Sequence, residues 1–412
     1  MKMQIIETSC SRRHLELERV KHYFARNGYK ISPDNFVVDK EADVILVSTC
    51  AFTQAAEDFS VKTFERVNQE KKQGAKVMLG GCLPKISPNR VTGYPMFSPQ
   101  NYEAIETYMG FSDKIEGIPM PNVVADWSIP TAYREHGLME SDDASLDVSG
   151  KKTKLENYET IRYISKTVGD KVFRIQCLQG CACKCTYCAI KFAIGKVRSK
   201  PIEDIVKEVR EGIRLGYEKI CLDSDSLGCY GVDIGCNLGD LLRAVTPIIA
   251  DSSSILDLPD ISPAYLECCY KEIMHLIDIK KLHVFYIPIQ SGSQKVIDAM
   301  KRGYDIKKIE EMISSISCID SVAVGTSIIV GFPGESEEDL WETIQMCKKL
   351  RLKFIYCHSF SARKGTPAYN LPNQVPDDEI LRRARLFKEE VRPYCKYLTI
   401  AEDTKGNRTC QG

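Results

Sequence analysis

The sequence predicts an α/β protein of two lobes. An open parallel α/β sheet lies at the amino end, and a longer run of strand–helix units after it forms a partial (β/α)6 barrel. Three observations predict this. Short apolar runs such as Val44–Thr49 alternate with amphipathic stretches of helical period, the pattern of parallel strands covered on both faces. The alternation fades between about Asp126 and Ser165 and resumes at Val172. From there to Phe360 the strand–helix units number six, too few to close an eight-stranded barrel.

Taken in order, Met3–Thr8 reads as an apolar strand and Arg12–Asn27 as a helix, with Leu15, Leu17, Val20 and Phe24 at helical spacing before the breaker Asn27-Gly28. Strand Val44–Thr49, helix Ala55–Lys72 and strand Lys76–Gly80 complete the first lobe, residues 1–125. Residues 126–165, acidic at Glu140–Asp143 and basic at Lys151–Lys154, read as a linker. The second lobe, residues 166–370, runs through strand Val172–Cys177, helix Ile202–Leu215, strand Lys219–Leu222 and helix Asn237–Ile249. Strand Ser254–Leu258, helix Pro263–Ile277, strand His283–Ile289 and the helices Gln294–Met300 and Ile306–Ser317 follow. Strand Val322–Val330, helix Ser336–Leu350 and strand Phe354–Phe360 end it. Residues 371–412 read as a helical tail whose charges, Arg382 to Glu390, make a solvated face.

Composition sets the bounds. With 412 residues, 43% hydrophobic and 27% charged, the chain is an ordinary globular protein with room for two or three domains. The 56 basic residues balance the 56 acidic ones, which argues against a surface that clings to nucleic acid as a whole. No apolar run reaches the length of a membrane span, and the start MKMQIIETSC carries no signal pattern, so the expectation is a cytoplasmic protein. Eighteen cysteines without an export signal point to a reducing, oxygen-poor setting and not to a disulfide framework.

The chemistry sits in two sets of three cysteines. In Gln179–Pro201, Cys181, Cys185 and Cys188 stand at C-x3-C-x2-C. Iron–sulfur cubanes are normally held by four cysteines. A compact loop of three therefore reads as a [4Fe–4S] cluster with one iron kept open for a ligand. The bland alternative is a structural zinc site, which wants a second short Cys or His spacing. Cys177 and Cys183 are nearby, but neither supplies one. In the first lobe Cys10, Cys50 and Cys82 each follow the carboxyl end of a predicted strand, the edge at which open parallel sheets bind ligands. They read as holding a second cluster with an open iron, against the alternative of three separate core cysteines. The other twelve are expected to be small buried hydrophobes.

The two triples in this order resemble the methylthiotransferase family of radical S-adenosylmethionine (SAM) enzymes. The resemblance spans roughly residues 1–370 and rests on T-S-C at Thr8–Cys10, S-T-C-A-F at Ser48–Phe52, G-G-C-L at Gly80–Leu83, and the cysteine loop with Arg198-Ser199. It continues in IPIQSGS at Ile287–Ser293, TSIIVGFPGE at Thr326–Glu335 and FSARKGTPA at Phe360–Ala368. SLGCYGVDIG at Ser226–Gly235 looks most like the branch that modifies threonylcarbamoyl-adenosine beside the tRNA anticodon. The resemblance implies two [4Fe–4S] clusters, SAM, and an electron donor such as flavodoxin or ferredoxin. The cluster at Cys181, Cys185 and Cys188 would cleave SAM to a radical, and the one at Cys10, Cys50 and Cys82 would present a methylated sulfur. Both open irons would then face one dry cavity, because a short-lived radical must find its sulfur within bonding reach. Tyr187, Arg198, Ser291, Gly292, Ser293 and Gly331 are the implied SAM contacts: Arg198 for the carboxylate, the serines for the ribose, the glycines for close backbone approach.

The chain also departs from the family pattern. Ser9 stands where the family usually has Gly, Arg13 and Ser48 where it has Asn, Ser327 where it has Asp, and SSSILDLPD at Ser252–Asp260 replaces an Arg-Met-Asn-Pro region. The family's carboxyl-terminal RNA-binding TRAM barrel finds no counterpart in the sequence after residue 370. With no such barrel and no net positive charge, the expected substrate is a peptide or protein side chain. The tRNA adenosine is the alternative, and a non-catalytic iron–sulfur protein or a different radical SAM reaction stands behind both.

Overall fold

The structure, a computed structural model, describes residues 1–33, 37–124 and 172–401. These fall into two units. One holds the described residues up to 124 together with Cys188–Gly195, and the other holds residues 172–187 and 196–401. The segment expected to be a linker lies outside the described residues.

In the first unit, β1 (Lys2–Glu7), β2 (Lys30–Ile31), β3 (Val44–Thr49) and β4 (Lys76–Gly81) form a parallel sheet in the order β2-β1-β3-β4. Successive side chains of a strand face opposite sides, and the core divides accordingly. Met3, Ile5, Val44, Leu46 and Met78 pack with Leu17, Val20, Tyr23 and Phe24 of helix His14–Arg26. Ile6, Ile45, Val47, Val77 and Leu79 pack with Val61, Phe64 and Val67 of helix Gln54–Glu70. The alternation sends β3, apolar in every core position, into both clusters, as a doubly covered strand requires. Thr53 starts the second of these helices by accepting from the Ala56 N–H at 3.2 Å. Ala193 and Ile190 of the short helix Ile190–Ile194 pack in the same core as Leu83 and Ile86.

In the second unit, eight strands form one open sheet. They are β5 (Val172–Gln179), β6 (Arg198–Ser199), β7 (Lys219–Ser224), β8 (Ile255–Leu258), β9 (Leu282–Tyr286), β10 (Ala323–Val330), β11 (Phe354–Ser359) and β12 (Tyr397–Ala401). Their order is β12-β11-β10-β9-β8-β7-β5-β6, parallel except for β6, which runs antiparallel to β5. The six predicted strands are the middle of this sheet. Helices Leu238–Ala250 and Glu337–Lys349 both begin at capping boxes, Asn237 with Asp240 and Ser336 with Asp339. Gly325 on β10 leaves room for the ring of Phe354, which a Cβ would meet at 2.0 Å.

Three expectations differ from what forms. The stretch expected to be helix Pro263–Ile277 opens as a 3-10 turn, Pro263–Tyr265, and its helix starts only at Tyr270. Pro263 fits the first turn of a helix but not its continuation backwards. The stretch read as a helical tail holds helix Asp377–Val391 and then β12, which pairs with β11 and extends the sheet. Of the eleven described cysteines outside the two triples, Cys268 and Cys318 are exposed and Cys183 and Cys236 half-buried, so they are not uniformly core residues. Among the described residues no helix is long and apolar enough to cross a membrane.

Candidate metal centres and SAM site

Cys10, Cys50 and Cys82 follow β1, β3 and β4, three adjacent parallel strands, so all three belong to the same carboxyl edge of one sheet. Hydrogen bonds fix the backbone there. The Thr8 N–H donates to Ser48 O at 2.8 Å and the Cys82 N–H to Thr49 O at 3.0 Å. The Ser60 hydroxyl bridges the N–H and the carbonyl of Cys50 at 3.0 Å each. Gly81 is the close approach that permits this edge. Its φ is +89°, and a Cβ there would lie 2.2 Å from Thr49 O. Cys10 is exposed, Cys50 half-buried and Cys82 buried. Two of the family departures touch here: Ser48 Oγ donates to Ser9 Oγ at 2.8 Å, and Ser9 to Glu7 at 3.1 Å.

The second triple lies on the loop that leaves β5. Gly180, with φ +85°, turns the chain, and its N–H donates to Asp225 Oδ2 at 2.8 Å just past β7. The Thr186 N–H donates to Met300 O at 3.0 Å, and Thr186 O accepts from the Ala368 N–H at 2.9 Å. Cys181 is half-buried and Cys185 buried. Cys188, also half-buried, opens the stretch that groups with the first unit.

Arg302 is the partner that sequence reasoning missed. Its guanidinium is buried, with Nη1 3.3 Å from Cys185 Sγ and 3.3 Å from the Tyr187 hydroxyl, and Nη2 donating to Pro288 O at 2.6 Å. Its Nε is buried without a hydrogen-bond partner. Hydrogen bonding with Cys183, and then the charge of Arg302, hold the Cys185 thiol below its ordinary range. Cys183 and then Cys229 do the same for Cys181, while Cys183 itself is pushed up. The loop thus favours thiolates at Cys181 and Cys185, the form in which cysteine binds metal.

Cys183 and Cys229 form a further pair that the sequence reading did not place together. Their sulfurs lie 3.8 Å apart, and those of Cys181, Cys183 and Cys229 are all within 4.8 Å of one another. Cys229 ends the 3-10 turn Leu227–Cys229 in the loop Ser226–Gly235, and that loop is laced to β6. The Ser199 N–H and hydroxyl donate to Asp233, the Gly231 N–H to Ser199 Oγ, and Tyr230 to Lys200 O. A doublet 46 residues apart has no spacing signature. The cysteine at position 183 was visible, its partner was not. Cys177, the other nearby thiol, is buried and points to Ile175 O at 3.3 Å.

The implied SAM contacts are mostly engaged with the protein. Ser291 and Ser293 are buried. Ser291 Oγ lies 3.1 Å from Thr343 Oγ1, and Ser293 donates to Asp339 at 2.6 Å. Both hydroxyls therefore tie the loop to helix Glu337–Lys349, which leaves the ribose role without support in the geometry. The Gly292 N–H donates to Thr343 Oγ1 at 2.9 Å, and a Cβ there would meet Thr343 Cα at 2.7 Å, so helix packing already demands a glycine. Gly331, φ +82°, is pressed against Ile380 and donates to Glu335 at 2.7 Å. Arg198 is exposed and donates to Gln179 at 2.8 Å, an interaction a carboxylate would have to displace. Tyr187 packs against the core cluster to which Val296, Met300 and Phe332 belong.

The comparisons with known proteins follow the same division. Residues 175–347 match the Radical SAM superfamily, and residues 2–96 match the family described as "Uncharacterized protein family UPF0004". The chain is 26% identical over 401 residues to a probable threonylcarbamoyladenosine tRNA methylthiotransferase of Methanocaldococcus jannaschii, covering 97% of this chain and 84% of that one. It is 27% identical over 398 residues to the threonylcarbamoyladenosine tRNA methylthiotransferase MtaB of Thermotoga maritima, covering 95% and 82%. Among solved structures it resembles the radical SAM methyltransferase TsrM of Kitasatospora setae, which has cobalamin and a [4Fe–4S] cluster bound. The TM-score is 0.55 at 14% identity, over 89% of this chain and 76% of that one, a likeness of fold.

Proposed function

We propose that the chain is a radical SAM methylthiotransferase that exchanges a hydrogen of tRNA N6-threonylcarbamoyladenosine, beside the anticodon, for a methylthio group, in line with the family models and relatives it matches. The observation that carries this reading is the span of the likeness: relatives named for that tRNA reaction align with 97% and 95% of the chain, across both units. The sequence reading put a peptide or protein side chain first. The relatives support the tRNA alternative instead, and the balanced charge that weighed against RNA restricts only a wholly basic surface, not a local one.

The cofactors of the family are two [4Fe–4S] clusters and SAM, and when bound they supply reductive cleavage of SAM and a methylated sulfur. The donor sets fit. Cys181, Cys185 and Cys188 would hold one cluster and Cys10, Cys50 and Cys82 the other, three thiols each and no fourth at the same spacing. The remaining work belongs to the chain. Gly180 and Thr186 hold the backbone of the loop, through Asp225 just past β7 and through the Met300 turn. Arg302 offers a buried positive charge to Cys185 and, through Tyr187, braces the loop from behind. Ser60 ties the end of β3 to helix Gln54–Glu70, and the Cys82 N–H on Thr49 O holds the ends of β3 and β4 together. An external one-electron donor such as ferredoxin or flavodoxin completes the scheme, in the reducing cytoplasmic setting that the cysteine content suggests.

The test is anaerobic reconstitution of the full chain with iron, sulfide, SAM and reductant, followed by incubation with tRNA bearing the threonylcarbamoyl adenosine and, separately, with a peptide library. Mass spectrometry of the digested tRNA should show CH3S in place of H. A gain confined to peptide would refute the substrate, and SAM cleavage with no gain on either would refute methylthiolation. Binding to the tRNA should weaken steeply with salt.

A further inference from the structure

We infer that Cys181, Cys183 and Cys229 form a mononuclear thiolate site for a soft divalent ion, zinc or ferrous iron, which the chain can hold before its radical SAM cluster is built. This site is independent of the substrate reading above. The three sulfurs lie within 4.8 Å of one another. For zinc–sulfur bonds of about 2.3 Å, the edge of a tetrahedral thiolate site is about 3.8 Å, and the Cys183–Cys229 separation is 3.8 Å. The ligands come from two separate segments, as a closed structural site would have them. Cys229 is fixed on its turn with Sγ 3.4 Å from Ser226 Oγ, and Cys183 Sγ lies 3.6 Å from Ser262 Oγ. These hydroxyls are suited to hydrogen-bond thiolate sulfurs as outer partners. Cys185, whose Sγ lies 3.3 Å from Arg302 Nη1, is not among the sulfurs that all lie within 4.8 Å of one another. The fourth position is therefore left to water.

Binding is ligand exchange: the ion sheds water, each thiol sheds a proton, and no electron moves. Cys181 belongs to both sets, so the mononuclear ion and the cluster exclude each other. Zinc occupancy would thereby block assembly at this loop, and ferrous iron there would be a first iron already at the loop.

The probes are Co2+ and Zn2+ added anaerobically to the full-length apoprotein carrying Cys10→Ser, Cys50→Ser and Cys82→Ser, so that only the second unit's set reports. Co2+ should give sulfur-to-metal charge-transfer absorption with the visible bands of a tetrahedral thiolate. Cys183→Ala and Cys229→Ala should each weaken Co2+ binding at least tenfold, while Cys236→Ala leaves it unchanged. Preloaded zinc should cut iron uptake from about four per chain, one [4Fe–4S] cluster, to near zero, and Cys229→Ala should restore it. Far-UV circular dichroism checks each fold, and half-buried Cys183 serves as the second variant should Cys229→Ala unfold. Equal Co2+ affinity in the parent and both alanine variants would overturn the site. So would iron uptake indifferent to zinc.

Discussion

Arg302→Gln should lower the reduction potential of the cluster proposed at Cys181, Cys185 and Cys188. The guanidinium is buried, and its Nη1 lies 3.3 Å from Cys185 Sγ. Adding an electron makes the thiolates stronger acceptors, so a buried cationic donor stabilises the reduced state more than the oxidised one. A hydrogen bond from a charged group contributes about 1.5–3 kcal/mol. If that is the difference between the two states, at about 59 mV per tenfold for one electron, the potential falls by about 60–130 mV. The assay is an electron-paramagnetic-resonance redox titration of anaerobically reconstituted protein carrying Cys10→Ser, Cys50→Ser and Cys82→Ser. Arg302→Lys, which keeps the charge without the planar fork, should recover part of the shift. An unchanged or raised potential in Arg302→Gln, with cluster content intact, would refute the reasoning.

Other substitutions separate the two units. Gly81→Ala puts a Cβ where Thr49 O is 2.2 Å away and forces a side chain onto φ +89°, so it should cost about 3 kcal/mol or more in stability and show as a lowered thermal midpoint. Cys50→Ala should reduce iron from about eight to about four per chain, abolish methylthiolation and leave reductive SAM cleavage, read as 5′-deoxyadenosine release. Asp39→Asn should flatten the acid limb of stability. The Ser32 hydroxyl, the Glu41 N–H and Lys2 hold Asp39 down to about 2 from its usual 3.8. A depressed carboxylate contributes stability above the unfolded value, near 4, that is lost as pH falls through about 2. Urea midpoints of the two proteins should therefore differ above pH 4 and converge near pH 2.

The period of the apolar residues carried most of the fold. Val44–Thr49 was legible because a strand covered on both faces carries a continuous apolar run, here Val44–Val47, and Ile306–Ser317 because its isoleucines at 306, 309, 313 and 316 recur at helical spacing and are all buried. What escaped were pieces too short to have a period. Residues Lys30–Ile31 and Arg198–Ser199 are strands only because a neighbour offers a ladder. Tyr397–Ala401 escaped for a related reason: its place depends on β11, with helix Asp377–Val391 between them, and nothing local signals the pairing.

The site divides along the same line. Spacing along one loop proposed Cys181, Cys185 and Cys188, and the strand-end rule grouped Cys10, Cys50 and Cys82 on one edge, because both arguments need only local order plus sheet topology. Arg302 and Cys229 reach the loop from turns after other elements, and no spacing could link them to it. Several departures from the family pattern have partners in space. Ser48 donates to Ser9 and Tyr286 bonds Ser327. Asp257, inside the rewritten SSSILDLPD stretch, holds His283 Nδ1 at 2.9 Å. Ser9 and Ser48 are both buried and bonded to each other, so changing one alone takes that partner from the other hydroxyl. Changing Ser9 to Gly while keeping Ser48 should therefore cost more than changing both, and the difference between the single and double variants measures how far the two positions act as one.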